Sequence, residues 1–286
     1  MNVGILYGLL SSVLFALGYI SLKKSYEEFP PSVAFLLEAV FGIIIWIPFS
    51  IFIGINFSNI LNVLIWAIIS AVLSEAYFFF VLSKGEISIT GTLLASYPIY
   101  TVLFSRFINN EILLPLQIVA ISLTFIGTII VSTSKDFKFS DFSKKSYVLW
   151  ALSGAIAVGL SDSLSKRAIN TISMQDFLFS LAIVQLPVAL IYLKLEKQSA
   201  NVLKKAIMNF HEYRFAIIGS LLSVLGVLLL WLAFSNTLAS IASPLTATYP
   251  VIMVILAHYL LKEKIQKKDY YGISLVVIGI LLISII

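Results

Sequence analysis

No cysteine occurs anywhere in the 286 residues, so neither a disulfide framework nor a thiolate metal site is available. Histidine is nearly as scarce. His211 and His258 stand far apart and supply no ligand set for zinc. Charge is thin as well: 12% of residues are Asp, Glu, Lys or Arg against 60% hydrophobic ones, far more apolar surface than a water-soluble fold buries. The expected solvent is therefore a lipid bilayer. The chain also lacks an HExxH motif, a nucleophile elbow and a phosphate-binding glycine loop, so nothing points to catalytic residues, a metal or a cofactor. The net charge of +5 comes largely from lysines in short segments between apolar runs, where they record membrane orientation and not a nucleic-acid surface. No basic stretch precedes the first apolar run and others follow it, so it is expected to be a first helix and not a cleaved leader.

Runs of roughly 20 apolar residues, the length that crosses a bilayer as a helix, recur along the chain. They predict an all-α polytopic membrane protein with transmembrane helices over 3–22, 31–53, 60–83, 88–108, 115–134, 147–167, 175–194, 214–236, 239–261 and 269–286. The polar segment KDFKFSDFSKKS at 135–146 divides these spans into two sets of five. The expected organisation is a first repeat over 1–134, a linker over 135–146 and a second repeat over 147–286.

The two sets are related in sequence. A shift of 152 places Ser83 on Ser235, Ser88 on Ser240, Tyr97-Pro98 on Tyr249-Pro250, Glu111 on Glu263 and Gly127 on Gly279. The first span of each half aligns at a shift of 143, Leu17 on Leu160 and Lys23 on Lys166. Because five is odd, the second repeat enters the membrane from the opposite side, and the repeats are inverted. That design is found in transporters that bind substrate between repeats.

Lys and Arg distribution gives an orientation. All but Arg106, Lys166 and Arg167 fall on one side, which the positive-inside rule makes cytoplasmic; both termini are then together on the extracytoplasmic side of the cell membrane. Residues 201–210, NVLKKAIMNF, place Val202, Leu203, Ala206, Ile207 and Phe210 on one helical face opposite lysines, as an interfacial helix does; an irregular basic loop is the alternative.

The stretches LLASYPIYTVLFSRFINNEILLPLQIVAISLTFIGTIIVS and LTATYPVIMVILAHYLLKEKIQKKDYYGISLVVIGILLIS resemble the EamA domain of the drug/metabolite transporter superfamily. The shared pattern is a mid-helix proline, a Glu at the helix end and a glycine in the last span: Pro98, Glu111 and Gly127, then Pro250, Glu263 and Gly279. Lys23 and Lys166 are family-like as well. The resemblance covers nearly the whole chain as two tandem domains. It implies a monomeric ten-helix carrier of small metabolites, often an exporter, with a central cavity lined by helices 1, 3, 4, 6, 8 and 9. Many relatives carry a basic residue in the second helix where this chain has Glu38.

A charged group at mid-bilayer costs about 2.5–3.5 kcal/mol on insertion scales, so intramembrane acids turn inward and often serve function. Three are present, Glu38, Glu75 and Asp162. Glu75 shares a small-residue face with Ala67, Ala71 and Ser74; it is a candidate for the substrate cavity or for a structural hydrogen bond. Glu38 faces with Ala34 and Gly42. Both acids are candidates for proton coupling, because burial without a basic partner favours the protonated carboxyl. Asp162 has two readings. One is a substrate or proton site among Ser161, Ser163 and Ser165, and the other, slightly favoured, is a pair with Lys166 four residues on.

Tyr77, Tyr97, Trp231 and Tyr249 are cavity candidates because an aromatic ring stacks on planar solutes and on cations, although Tyr and Trp also serve as interfacial anchors. Arg106 and His258 lie near helix ends, where snorkelling explains them. The stripe Gly4, Gly8, Ser11 and Ser12 suits helix packing. Pro98 and Pro250 predict helix kinks that displace the carbonyls of Leu94 and Thr246, with Thr92, Ser96, Ser243, Thr246 and Thr248 near enough to satisfy freed groups, and Thr246 is also a cavity candidate.

The expected function is a membrane carrier for a small organic metabolite, an amino acid or related compound, exporting it by alternating access with proton coupling as one option. A channel would need a continuous polar stripe, which these spans lack. A non-transporting assembly subunit is the third reading.

Overall fold

In the computed structural model, residues 3–84, 93–132, 146–261 and 266–285 are described. Ser88, Thr92, Glu263 and all but the last residue of the linker 135–146 lie outside them, as do the side chains of His258 and its neighbours. The described residues are helical throughout, joined by short turns, with no strand among them. In chain order the spans are α1 (Val3–Ser25), α2 (Pro31–Ile53), α3 (Phe57–Ser83), α4 (Tyr97–Ile108), α5 (Pro115–Ser132), α6 (Ser146–Thr171), α7 (Met174–Leu195), α8 (Phe210–Asn236), α9 in two pieces (Ala239–Thr246 and Tyr249–Leu261) and α10 (Lys267–Ile285). Eight of these stretches are long and apolar enough to cross a membrane, α5 is a shorter apolar helix and α4 is preceded by a helical Leu93–Leu94. They occupy the positions of the ten expected spans.

Equivalent helices of the two halves run antiparallel where they meet. In α2 and α7, Ser32 N–H donates to Glu196 Oε2 (3.1 Å) while, further along both helices, Gln185 Nε2 donates to Glu38 Oε1 (3.4 Å). Where α5 crosses α10, a Cβ on Gly127 would meet the Gly272 carbonyl oxygen at 2.5 Å and one on Gly279 would meet that of Ala120 at 2.7 Å. Subtracting 152 from 272 and 279 gives 120 and 127, so each of these two contacts is the repeat-exchanged copy of the other. The two halves thus meet here through equivalent positions, a reciprocity expressed in side-chain size.

Lipid tails are as apolar as leucine, so helix association here depends on close van der Waals packing and interhelical hydrogen bonds. The small-residue stripe of α1 supplies both. Ser11 Oγ donates to the Gly226 carbonyl of α8 (2.7 Å), Ser12 shares a hydrogen bond with Thr248 of α9 (2.8 Å), and Gly8 leaves room for Leu245. Packing, not ligand binding, accounts for that stripe. The segment before α8 forms a short helix, Val202–Met208, with Val202 and Ala206 buried but Ile207 82% exposed, so only part of the expected apolar face is covered.

The proline sites differ from expectation. Pro98 and Pro250 do not kink continuous helices; a two-residue turn at Ala95–Ser96 and another at Ala247–Thr248 interrupt each span, and the proline stands in the first turn of the helix that restarts. The reason is local hydrogen bonding. Ser96 donates from both N–H and Oγ to the Leu93 carbonyl (3.1 and 2.6 Å), and Thr248 does the same to Leu245 (3.2 and 2.7 Å). The hydroxyl holds the turn closed, and proline fits the first helical turn because no partner for its missing N–H is needed there.

Gly279→Val should place methyl groups against Ala120 and Thr124 and cost about 1–3 kcal/mol of packing. The expected outcome is a lower melting temperature in detergent, whereas Leu281→Val, at a lipid-facing position 57% exposed, should leave melting nearly unchanged.

Candidate transport site

A narrow cavity of about 40 Å³, room for a few water molecules, lies at the centre of the bundle. Its walls come from both repeats: Phe15 and Tyr19 of α1, Ser74, Glu75, Phe78 and Phe79 of α3, Tyr97 of α4, Val158 and Asp162 of α6, Ser223, Val227, Leu230 and Trp231 of α8, and Tyr249 of α9. These are helices 1, 3, 4, 6, 8 and 9.

Glu75 reaches this cavity from an unusual stretch of backbone. Residues Ala71–Ala76 form a single π-helical turn inside α3, where the wider coil changes which side chains face inward. Its carboxyl lies within hydrogen-bond reach of the Glu38 carboxyl. Two carboxylates only accept, so this contact is a hydrogen bond only when a proton sits between them. Glu38 is fully buried and does not itself line the cavity; Gln185 Nε2 donates to its Oε1, and the Ser223 hydroxyl is a further neighbour of its carboxyl.

Asp162 is held differently. Its Oδ2 lies 3.1 Å from both Thr101 Oγ1 of α4 and Ser243 Oγ of α9, and the two hydroxyls are 3.1 Å apart, so their two protons serve two of the three contacts at a time. The expected pair with Lys166 does not form. Lys166 Nζ is drawn away to the ends of α8, donating to the carbonyls of Phe234 and Thr237, since a buried ammonium gains more from two uncovered helix-end carbonyls. Nor do the neighbouring serines surround Asp162: Ser161 bonds to Ser74 (3.0 Å) and Ser163 to Ser105 (2.9 Å), both joining helices.

Of the cavity candidates, Glu75, Tyr97, Asp162, Trp231 and Tyr249 converge on this space. Tyr77 and Thr246 do not line it. Tyr77 turns to the outer side of α3, where its hydroxyl bonds Ser153 (2.7 Å) among Phe80 and Trp150, and Thr246 Oγ1 donates to the Ala242 carbonyl of its own helix. Tyr19 was missed in sequence. It stacks on Phe15 (5.1 Å between centroids) and meets Tyr249 edge-on (5.1 Å), at the middle of an aromatic cluster that only the crossing of α1 and α9 assembles. The Tyr97 hydroxyl donates to the Ser243 carbonyl at 3.4 Å, tying the α4 break to α9. Trp231 Nε1 is buried with no acceptor among the described residues.

Glu111 has a role its position in sequence did not suggest. It lies at the end of the loop after α4, and its two carboxylate oxygens accept the N–H groups of Ala239 and Ser240 (2.9 Å each), capping the start of α9. A carboxylate there meets otherwise unpaired donors and the positive end of the helix.

A bundle of apolar helices built from two sequence-related repeats, with a small polar and aromatic chamber walled by both, is the architecture of a multi-pass membrane transporter. The comparisons name it more narrowly. The profile described as the EamA-like transporter family matches residues 2–133 and 145–285, and the chain belongs to that family. It is a transporter family of the drug/metabolite superfamily and not a family of enzymes. A small-molecule substrate and a lipid environment follow. A 71-residue stretch is 44% identical to an uncharacterized protein of Methanocaldococcus jannaschii, MJ1333.1; the match covers 25% of this chain and about half, 52%, of that protein's length. A crystal structure of another protein superimposes with a TM-score of 0.70 at 17% identity, covering 99% of this chain and 96% of that one, which speaks to the fold alone.

Glu111→Ala should leave two buried N–H groups at the start of α9 unpaired and cost about 0.5–2 kcal/mol. Glu111→Gln, which keeps one acceptor, should melt between the wild type and Glu111→Ala; equal melting of all three would remove the cap from the account.

Proposed function

We propose that this transporter is an alternating-access carrier that moves a small organic metabolite, an amino acid or related compound, out of the cell across its plasma or inner membrane in exchange for protons. The reading takes 1–134 and 147–286 as the two repeats, joined by the polar segment 135–146 and acting within one monomer, with both termini extracytoplasmic as the lysine distribution favours. One observation carries it. The chamber is narrow, both repeats wall it, and the broken spans α4 and α9 each bring a tyrosine to it beside the break. Rearrangement of equivalent helices can open such a chamber to one side or the other without exposing both.

Proton exchange is supported by the Glu38–Glu75 contact. A proton shared between two buried carboxyls, with no Lys, Arg or His lining the chamber among the described residues, is one that a substrate or water entering the chamber can displace. Glu75 touches the chamber and Glu38 does not, which supports Glu75 as the proton-carrying residue and Glu38 as its positioning partner.

Counterflow in proteoliposomes, run across a substrate panel with and without a pH gradient, tests the reading. The wild type should show saturable countertransport that an imposed gradient accelerates. Glu75→Gln should lose most of that acceleration, roughly tenfold or more, a loss within the range known for removing a positioned proton-transfer group. Full retention of the pH response removes Glu75 from coupling, and fluxes far above carrier turnover would mark a channel.

A further inference from the structure

The seam between α2 and α7 carries polar groups outside the chamber. Its deep end is the bond from Gln185 Nε2 to Glu38 Oε1 (3.4 Å), beside the Glu75 carboxyl. Its outer end is the bond from Ser32 N–H to Glu196 Oε2 (3.1 Å), where α2 begins and α7 ends. Ser32 and Glu38 are six residues apart, about 9 Å of helix rise. On α7, Gln185, Tyr192 and Glu196 follow at intervals of seven and four residues and so share one face.

Two hydroxyls along this interval have no partner. Ser32 Oγ and the hydroxyl of Tyr26, which comes from the turn between α1 and α2, are sealed from solvent and make no hydrogen bond among the described residues. The Tyr26 hydroxyl is within electrostatic reach of Glu38, Tyr192 and Glu196, and the Tyr192 hydroxyl neighbours the Glu196 carboxyl. The Tyr192 ring also meets Phe35 of α2, at 6.3 Å between centroids. The further titratable groups in reach of Glu38 are Glu75 and Tyr19. Glu196 is part-exposed, at the end of the bundle where Lys23, Lys194 and Lys197 also fall.

A sealed hydroxyl without a partner is rare, and a bridging water is the usual remedy. A hydroxyl can accept a proton on its oxygen while giving up its own, so hydroxyls joined by waters relay a proton without any large side-chain movement.

We infer that the α2–α7 seam is a proton path separate from the substrate's, running from the Glu38–Glu75 pair past Tyr26, Ser32 and Tyr192 to Glu196. The proton leaves the pair, each hydroxyl or water on the way takes one proton and releases one, and the Glu196 carboxylate accepts it and passes it to solvent. The path rests on the proton-exchanging carrier reading and deepens it. An exporter driven by protons releases them into the cytoplasm, and the lysine-rich end where this path emerges is the cytoplasmic one in that reading.

The first test needs no substrate. Rapid-mixing infrared spectroscopy of the purified full-length chain in lipid nanodiscs follows the protonated carboxyl of the Glu38–Glu75 pair, recognised by its loss in Glu75→Gln, as its proton exchanges in heavy water. Tyr26→Phe and Tyr192→Phe keep the rings and should each slow that exchange by about tenfold or more, below the usual cost of removing a positioned proton-transfer group. Tyr77→Phe, which loses a hydroxyl on the outer side of α3, should exchange as the wild type does. Unchanged exchange in both seam variants, equal slowing in Tyr77→Phe, or no protonated carboxyl to follow overturns the path. Proteoliposomes separate this claim from the carrier reading, because exchange of labelled for unlabelled substrate at equal pH moves no net proton. With whichever member of the counterflow panel is transported, the seam variants should keep that exchange and lose most of the acceleration by a pH gradient. A loss of both alike marks damaged packing and counts against the path. Acceleration kept by the seam variants and lost by Glu75→Gln overturns the path while coupling stands, and a wild type with no acceleration contradicts coupling itself.

Discussion

In hydrocarbon a backbone N–H or C=O without a partner costs several kcal/mol, so any departure from regular helix must be placed where protein or a little water can satisfy it. The structure obeys this constraint closely. The turns that interrupt α4 and α9 are buried in the middle of the bundle, closed by the hydroxyls of Ser96 and Thr248, and the π-turn of α3 lies beside them around Glu75. All three irregularities border the same chamber. The irregular backbone and the polar site are thus one feature: the interior that makes a broken helix tolerable is also the place where charged side chains can be kept.

The acids follow from that arrangement. Each of Glu38, Glu75 and Asp162 would be expensive against lipid, and each is turned inward and given partners of a different kind. Asp162 is fixed by hydroxyls from α4 and α9, so it reports on the packing of those two helices. Glu75 and Glu38 lean on one another, which makes their contact sensitive to a proton.

Much of the architecture was legible in the sequence because the bilayer leaves so few solutions. Span lengths and the shift of 152 are enough to derive two related halves, and the contacts of Gly127 with Gly272 and of Gly279 with Ala120 join equivalent positions of those halves. The site was legible only in part. Hydropathy exposes a buried acid by its cost, so Glu75 and Asp162 stood out, but partners belong to other helices and leave no local trace. Lys166 is four residues from Asp162 and was a natural partner by spacing; its preference for the carbonyls ending α8 is set by a helix more than sixty residues away in sequence. Tyr19 and the capping role of Glu111 were invisible for the same reason, one acting in a ring cluster and the other across helices. The prolines misled in degree: proline chemistry predicts a kink, and only the adjacent Ser96 and Thr248 hydroxyls turn it into a break.

The central claim is that one chamber opens in turn to each side of the membrane. Because the chain has no cysteine, Val158→Cys would place its single thiol in the chamber wall. The decisive measurement is its reaction with a membrane-impermeant maleimide in right-side-out and in inside-out vesicles. The account predicts labelling in both orientations, at rates that shift in opposite directions when substrate is added to one side. Labelling from one side only, under every condition in which the protein still transports, would contradict it.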